Sequence, residues 1–164
     1  MRLAQAVGEL AEFALSPVVL SGDLHWSMSA YLVHHTATEP IAVELMTTSV
    51  RSPGFDQYLP QVRPNAVRDA TLELNPMLKY METARRGWLA LTAGKARCPA
   101  VWNLVETVHQ SEYSTAVDRR PHVKAGATGE GFGSDAALAA ARACRRRPGS
   151  PHATGSNPSL ILRV

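Results

Sequence analysis

A short apolar run that ends in a Gly-Asp-Leu-His sequence constrains the fold of this chain more than any other feature. Residues 17–20 (Pro-Val-Val-Leu) have the β-branched, apolar character of a buried strand. Ser21 and Gly22 follow directly, and glycine permits a sharp turn of the backbone there. We therefore expect a central strand with a carboxylate and an imidazole just past its carboxyl end, where open α/β architectures bind their ligands.

Asp23 and His25 are the candidate functional side chains of this segment. They are two positions apart, so on extended chain they would point to the same side. A carboxylate and a neutral imidazole are suitable ligands for a Lewis-acid metal ion, and a two-metal centre can activate water for phosphoester hydrolysis. The alternative is a strand-end aspartate that caps the next turn beside a surface histidine.

Short helices and strands are expected along the rest of the chain up to about residue 128. Residues 2–15 carry apolar residues at helical spacing and predict an amphipathic helix. Residues 65–74 predict a second helix, and residues 47–58 a loop. Alternation over residues 27–32 predicts a strand with one solvent-exposed face. Further strands are expected at residues 41–46, 87–92, 100–108 and 122–125.

The sequence changes character beyond residue 128. Residues 129–164 are rich in Gly, Ala, Arg, Pro and Ser, and such a composition buries too little apolar surface to offset chain entropy. We therefore predict a domain over residues 1–128 and a disordered, basic tail over residues 129–164. The tail could attract anionic partners. Because no aromatic residues interleave with its arginine run at 145–147, no nucleic-acid partner is expected.

The sequence carries no signal for membrane insertion or export. No apolar run approaches the roughly 18 residues that a membrane span needs. Residues 1–15 include Glu9 and Glu12 and lack the continuous apolar core of a secretory signal. Cys98 and Cys144 lack metal-site or redox spacing and are expected to be unpaired thiols, with a disulfide as the alternative.

The polar residues downstream have simpler interpretations. Ser49 and Ser52 could bind phosphate oxygens or form turn hydrogen bonds around Pro53. No base is identifiable beside either serine, so no catalytic residue is assigned, and the substrate-binding residues stay unknown. The charged residues Lys79, Arg85 and Arg86 are interpreted as solvated, although any of them could bind a phosphate substrate. Trp26, Trp88 and Trp102 are interpreted as core or edge aromatics.

An ordered series of motifs resembles the alkaline phosphatase D (PhoD-like) family of metallophosphatases. Members of that family carry a strand entering G-D-[IVL]-H, a strand with glutamate, S-x-[ST]-S-P-G, N-P-x-[LI]-K-Y, a basic pair before Gly-aromatic, and a strand with Trp leading to Thr-Val. In this chain the matching runs are residues 18–26 (VVLSGDLHW), 43–45 (VEL), 48–55 (TSVRSPGF), 75–80 (NPMLKY), 85–88 (RRGW) and 101–108 (VWNLVETV). Met77 departs from the family, because many relatives have His at this position.

The resemblance implies the carboxy-terminal part of an α/β, calcineurin-like metallophosphatase sandwich, expected here as one sheet with flanking helices. It implies hydrolysis of phosphomonoesters or phosphodiesters by a centre that uses calcium and iron, in proteins that are typically exported. By resemblance, Asp23 and His25 are the metal ligands that this part contributes. The remaining ligands precede the G-D-x-H strand in the family, so we expect the amino-terminal half of the domain, or a partner chain, to complete the site.

Three hypotheses on function follow from the sequence. The first is a PhoD-like phosphoesterase that is present here as a truncated fragment. The second is a non-catalytic remnant of the same fold with too few ligands. The third is a small β-rich binding module whose basic tail contacts anionic partners. The sequence does not identify the natural phosphoester.

Overall fold

Runs of β-branched and aromatic residues, separated by Gly, Pro and Asn, give this chain many short strands. The computed structural model describes residues 17–35, 39–94, 96–125, 133–134 and 159–162. The strands among these residues are β1 Val18–Ser21, β2 Ser27–Val33, β3 Pro40–Met46, β4 Leu78–Glu82, β5 Gly87–Thr92, β6 Arg97–Val105, β7 Thr115–Arg119, β8 Pro121–Lys124, β9 Gly133–Ser134 and β10 Ser159–Leu162. The helices are α1 Phe55–Tyr58 and α2 Pro64–Leu74.

The first sheet is mixed and has the strand order β1-β3-β2-β4. β1 runs parallel to β3, with Val18 opposite Val43 and Ser21 opposite Met46. β2 is antiparallel to both β3 and β4. β1 is therefore an edge strand of the sheet as described, whereas the sequence predicted a central strand.

The second sheet is antiparallel, with the order β10-β5-β6-β8-β9 and with β7 also paired to β6. The nine-residue strand β6 is long enough to pair with two strands in succession. β8 pairs with its first part, opposite Arg97, Cys98 and Pro99. β7 pairs with its last part, and the register shifts between Trp102 and Asn103.

The main core lies between the two sheets. Trp102 is fully buried there, and its ring lies 4.8 Å from that of Tyr80, centroid to centroid. The other buried members of this cluster are Val43, Leu45, Leu89, Leu91, Ala100 and Val123. A second, smaller cluster joins Ala30, Leu78 and Met81 of the first sheet to Leu72 of α2. The first sheet thus has apolar packing on both faces.

This packing corrects several predictions. The single sheet expected from the sequence is wrong, because β5 to β10 form a second sheet and the described part of the chain is mainly β. The solvent-exposed face expected for β2 is also wrong, since Ser27 and Ser29 are 0% and 2% exposed. Both faces of the first sheet are covered, so the alternation of serine with apolar residues in β2 does not indicate a solvent-exposed face.

The remaining predictions on elements divide into three groups. The strands near residues 17–20, 27–32, 41–46, 87–92, 100–108 and 122–125 and the helix near residues 65–74 are confirmed with small shifts of their ends. The sequence did not predict β4, β7 or the short helix α1 in the loop at 47–58. The helix predicted over residues 2–15 lies outside the described residues.

The segment predicted to be a disordered tail is described in two places. Gly133–Ser134 pairs with β8, and Ser159–Leu162 pairs with β5. The rest of residues 129–164 lies outside the described residues, so the division of the chain at residue 128 stays a prediction. Neither helix in the described part of the chain is long and apolar enough to cross a membrane. Cys98 is a free thiol, and Cys144 lies outside the described residues.

Candidate metal centre

The segment that follows β1 turns sharply instead of continuing as extended chain. Asp23 and His25 have φ angles of 74° and 60°, in the left-handed region that side-chain-bearing residues seldom adopt. The amide of Leu24 donates to the carbonyl of Gly22 at 3.0 Å, which closes a tight turn around Asp23. The extended backbone predicted for Asp23 and His25 is therefore wrong, and a shared side for their two side chains stays a prediction. Strained backbone of this kind concentrates at functional sites.

The imidazole of His25 is fixed by the segment that follows β3. Its Nδ1 lies 2.7 Å from the carbonyl oxygen of Pro53. A carbonyl oxygen only accepts hydrogen bonds, so Nδ1 is the nitrogen that donates, and the neutral ring presents Nε2 as its acceptor. The hydroxyl of Thr48 also donates to the backbone carbonyl of His25 at 2.9 Å. Ring and backbone of His25 are thus both tied to the segment at 47–54.

Asp23 lies on the exposed part of the same turn, whereas His25 is half-buried. Behind them, the hydroxyl of Ser21 donates to Glu44 Oε1 at 2.6 Å, which links the end of β1 to β3. The parallel pairing of β1 with β3 brings these two residues together across 23 positions of sequence. Glu44 was not assigned to the site from the sequence, since no spacing rule connects the two strands.

The segment at 47–54 is itself held by internal and external hydrogen bonds. The Ser49 hydroxyl donates to the carbonyl of Ser52 at 2.9 Å. The amide of Gly87 donates to the carbonyl of Ser49 at 3.2 Å. Of the two interpretations offered for Ser49, the turn hydrogen bond is the one observed.

Arg86 is buried beneath this segment, with 5% of its surface exposed. Its Nη1 donates to Asp56 Oδ1 at 2.8 Å, and its Nε donates to the carbonyl of Ser52 at 3.1 Å. Nη1 also donates to the carbonyl of Ala84. The interpretation of Arg86 as a solvated charge is therefore wrong. Its partner Asp56 is 30 residues away, and no local pattern indicates such a pair.

Arg85, the neighbouring arginine, belongs to a different network. It is bound to Glu82 at 2.6 Å and also to Asp118 of β7. The hydroxyl of Tyr80 donates to the same Asp118 at 2.9 Å. Burial, followed by the charge of Asp118, raises the pKa of Tyr80 well above its ordinary value. This network joins the two sheets at β4 and β7.

An open, polar groove lies between the two arginines and the end of β6. Its lining residues are Asp56, Gln57, Ala84, Arg85, Arg86, Val105, Glu106, Thr107, Val108 and His109.

Asp23 and His25 fit a metal centre as part of a ligand set. Histidines that bind metals commonly donate their second ring N–H to a carbonyl or carboxylate, which fixes the tautomer and the ring orientation. His25 makes this contact with Pro53. Within residues 17–35, 39–94 and 96–125, no three His, Cys, Asp or Glu side chains are grouped so as to hold a metal ion. The described residues thus supply two candidate ligands, fewer than a closed site requires.

Comparison with known proteins identifies the family of this chain. The family model of the PhoD-like phosphatases matches residues 7–102, more than half of the chain. A solved structure titled "Structure of PhoD" superposes with a TM-score of 0.62 at 18% identity, which shows a shared fold. The match covers 81% of this chain and 25% of that one, so the chain spans about a quarter of the solved protein. No curated protein sequence gives a significant match. From the extent of the family match, this chain belongs to the PhoD-like phosphatase family.

Proposed function

We propose that this chain contributes Asp23 and His25 as ligands to the metal centre of a metal-dependent phosphoesterase. The observation that carries the proposal is the hydrogen bond from His25 Nδ1 to the Pro53 carbonyl, because it presents Nε2 as the free acceptor of a neutral imidazole. The family match supports the class of reaction.

The donor atoms agree with the metals that the family resemblance implies. The carboxylate of Asp23 is a hard oxygen ligand of the kind that calcium takes, and imidazole suits iron. Bound ions of this kind polarise a phosphoryl oxygen and lower the pKa of a coordinated water. The role of this chain's own residues is to hold an exposed carboxylate and an oriented imidazole on one rigid turn. A serine nucleophile is not part of the proposal, since Ser49 Oγ is engaged with Ser52.

We further propose that the remaining ligands come from outside the described residues, either from more of the same domain or from a partner chain. The described sheets would then form part of a calcineurin-like metallophosphatase sandwich. Substrates would be phosphomonoesters or phosphodiesters. The support for this is that the chain spans about a quarter of the solved relative. Two side chains cannot hold two ions in fixed geometry, so metal affinity of this chain alone should be weak and turnover near background.

Metal titration of matched variants tests the proposal. The purified chain would be titrated with calcium and with ferrous iron by calorimetry. We expect binding to weaken at least about tenfold in Asp23→Asn and His25→Ala, because loss of a ligand should cost no less than the tenfold typical for loss of a ligand's hydrogen-bond partner. Asp69→Asn and His109→Ala are the controls, because each changes an exposed residue of the same type in another part of the chain. Equal affinity in all five proteins would contradict the proposal.

A reconstitution experiment separates the enzyme from a non-catalytic remnant. The same variants would be placed in a longer polypeptide that carries the amino-terminal half of a PhoD-like domain. Phosphatase activity that depends on added calcium and is lost in Asp23→Asn and His25→Ala would support the proposed enzyme. Robust metal binding without turnover in that longer protein would favour the remnant.

A further inference from the structure

Arg86 binds a backbone carbonyl before Pro53 and a side chain after it, and Pro53 is the residue whose carbonyl accepts from His25. Its Nε donates to the carbonyl of Ser52, and its Nη1 is paired with the side chain of Asp56. Pro53, whose carbonyl accepts from His25 Nδ1, lies between these two anchors. The guanidinium therefore holds the chain directly before and shortly after the acceptor of the imidazole.

Pro53 depends on such anchors for the direction of its carbonyl. Proline has no amide N–H, so it cannot fix itself through a backbone donor of its own. The preceding carbonyl of Ser52 accepts from both Arg86 Nε and Ser49 Oγ. These two donors set the position of the peptide group that leads into Pro53.

Arginine suits this task because of its planar fork of donors. One guanidinium can address a carbonyl and a carboxylate in fixed directions, whereas a lysine ammonium is a single point charge. Gly54 provides the space for it. A Cβ built on Gly54 would lie 2.7 Å from Arg86 Nη1 and 2.9 Å from its Cζ. The close approach of the guanidinium to this backbone thus requires glycine at position 54.

We propose that Arg86 is a positioning residue for His25: through Ser52 and Asp56 it fixes the Pro53 carbonyl that selects the Nδ1–H tautomer of the imidazole. The inference rests on the proposed role of His25 as a metal ligand, and it deepens that role. It gives Arg86 a function that Arg85, the preceding residue of the Arg85-Arg86-Gly87-Trp88 run, does not share. Arg85 binds Glu82 and Asp118 instead.

The tautomer of His25 can be measured without any metal. Long-range ¹H–¹⁵N correlation spectra of the metal-free, 164-residue chain report which ring nitrogen carries the proton. At about pH 8 an ordinary histidine is neutral, so the ratio of tautomers is read directly. The signals of His25 are identified by their loss in His25→Gln. In the wild type we expect the Nδ1–H form, and in Arg86→Met we expect the ratio of Nδ1–H to Nε2–H to fall about fivefold, the effect of losing one hydrogen bond of ordinary net strength.

Three variants make the measurement decisive. Arg85→Met removes the same kind of side chain one residue earlier and should leave the His25 ratio unchanged. Arg86→Lys keeps the charge without the fork and should give an intermediate ratio. Gly54→Ala keeps Arg86 but displaces its guanidinium, and should lower the ratio in the same direction. This last variant decides the question if circular dichroism shows that Arg86→Met does not fold.

An unchanged ratio in folded Arg86→Met, or in Gly54→Ala if Arg86→Met is unfolded, would overturn the proposal. Lower thermal stability together with an unchanged ratio would assign Arg86 a purely structural role and would overturn it as well. Because the spectra are recorded without metal, they do not depend on the proposed function. If the tautomer ratio responds to Arg86 but the chain binds no metal, the positioning role is supported. In that case only the proposed metal centre is contradicted.

Discussion

Replacing Trp102 with phenylalanine should destabilise the chain by about 2–4 kcal/mol. Trp102 is fully buried between the sheets, and its Nε1 donates to the carbonyl of Met46 at 3.0 Å. Met46 ends β3, immediately before the segment that holds His25. The substitution keeps an aromatic ring against Tyr80 but removes the donor, so it tests the polar part of this contact.

The magnitude follows from two contributions. A buried carbonyl that loses its partner costs about 1–3 kcal/mol. The smaller ring leaves a void of roughly 30–40 Å³, which at about 24 cal/mol per Å³ adds about 1 kcal/mol. For a chain of this size, each kcal/mol lowers the melting temperature by about 2–4 °C. A loss of about 3 kcal/mol therefore corresponds to a decrease of roughly 6–12 °C.

Thermal unfolding followed by circular dichroism measures this change. Trp88→Phe is the matched control, because Trp88 is half-buried on β5 and the same atoms are removed. We expect the control to cost less than about 1 kcal/mol, as is usual for a partly exposed position. If the two variants melt within about 2 °C of each other, a difference of no more than about 1 kcal/mol, the argument from the Met46 hydrogen bond is refuted.

Two further predictions concern pH and packing. Burial and the charge of Asp118 raise the pKa of Tyr80 above its ordinary value near 10, so its contribution to stability is complete below about pH 10 and is lost as the pH rises further. In denaturant titrations between about pH 9 and 11, the free energy of unfolding should decline by up to about 1.4 kcal/mol per pH unit because of this group. Tyr80→Phe should remove that part of the decline. An equally steep decline in the variant would disprove the assignment. Gly87→Ala should unfold the chain or cost more than about 2 kcal/mol, because its Cβ would lie 2.0 Å from the carbonyl oxygen of Asn103. Gly94→Ala, with its closest contact at 2.8 Å in the β5–β6 connection, should cost less when both variants are compared by thermal unfolding. A reversed order would contradict the packing argument.

The sequence predicted the elements whose signals are local. β1, β3 and β5 are continuous or alternating apolar runs, and Asn75-Pro76 marks the end of α2. β7 was missed because all of its residues are exposed, so its sequence Thr-Ala-Val-Asp-Arg shows no buried face. β4 was missed because it is buried on both faces except at Lys79, so its sequence does not alternate between apolar and polar residues.

The candidate site was predictable in its residues but not in its geometry. The Gly-Asp-Leu-His sequence indicated Asp23 and His25, and both lie directly after β1. Their positive φ angles could not be predicted, because aspartate and histidine tolerate such angles but adopt them at only a minority of positions. The roles of Pro53 and Arg86 depend on contacts across 28 and 34 residues of sequence, and no periodicity encodes contacts of that kind.

The pairing of β10 with β5 has a consequence for the order in which this chain folds. Ser159 lies opposite Thr92, so the two strands meet only after a long stretch of intervening chain has been synthesised. Closing a loop of this length costs conformational entropy before the strands gain any favourable contact, so such pairings form late in folding. Until then the outer edge of β5 can pair with other molecules, and aggregation competes with folding. Shortening the chain before residue 159 would make that transient vulnerability permanent.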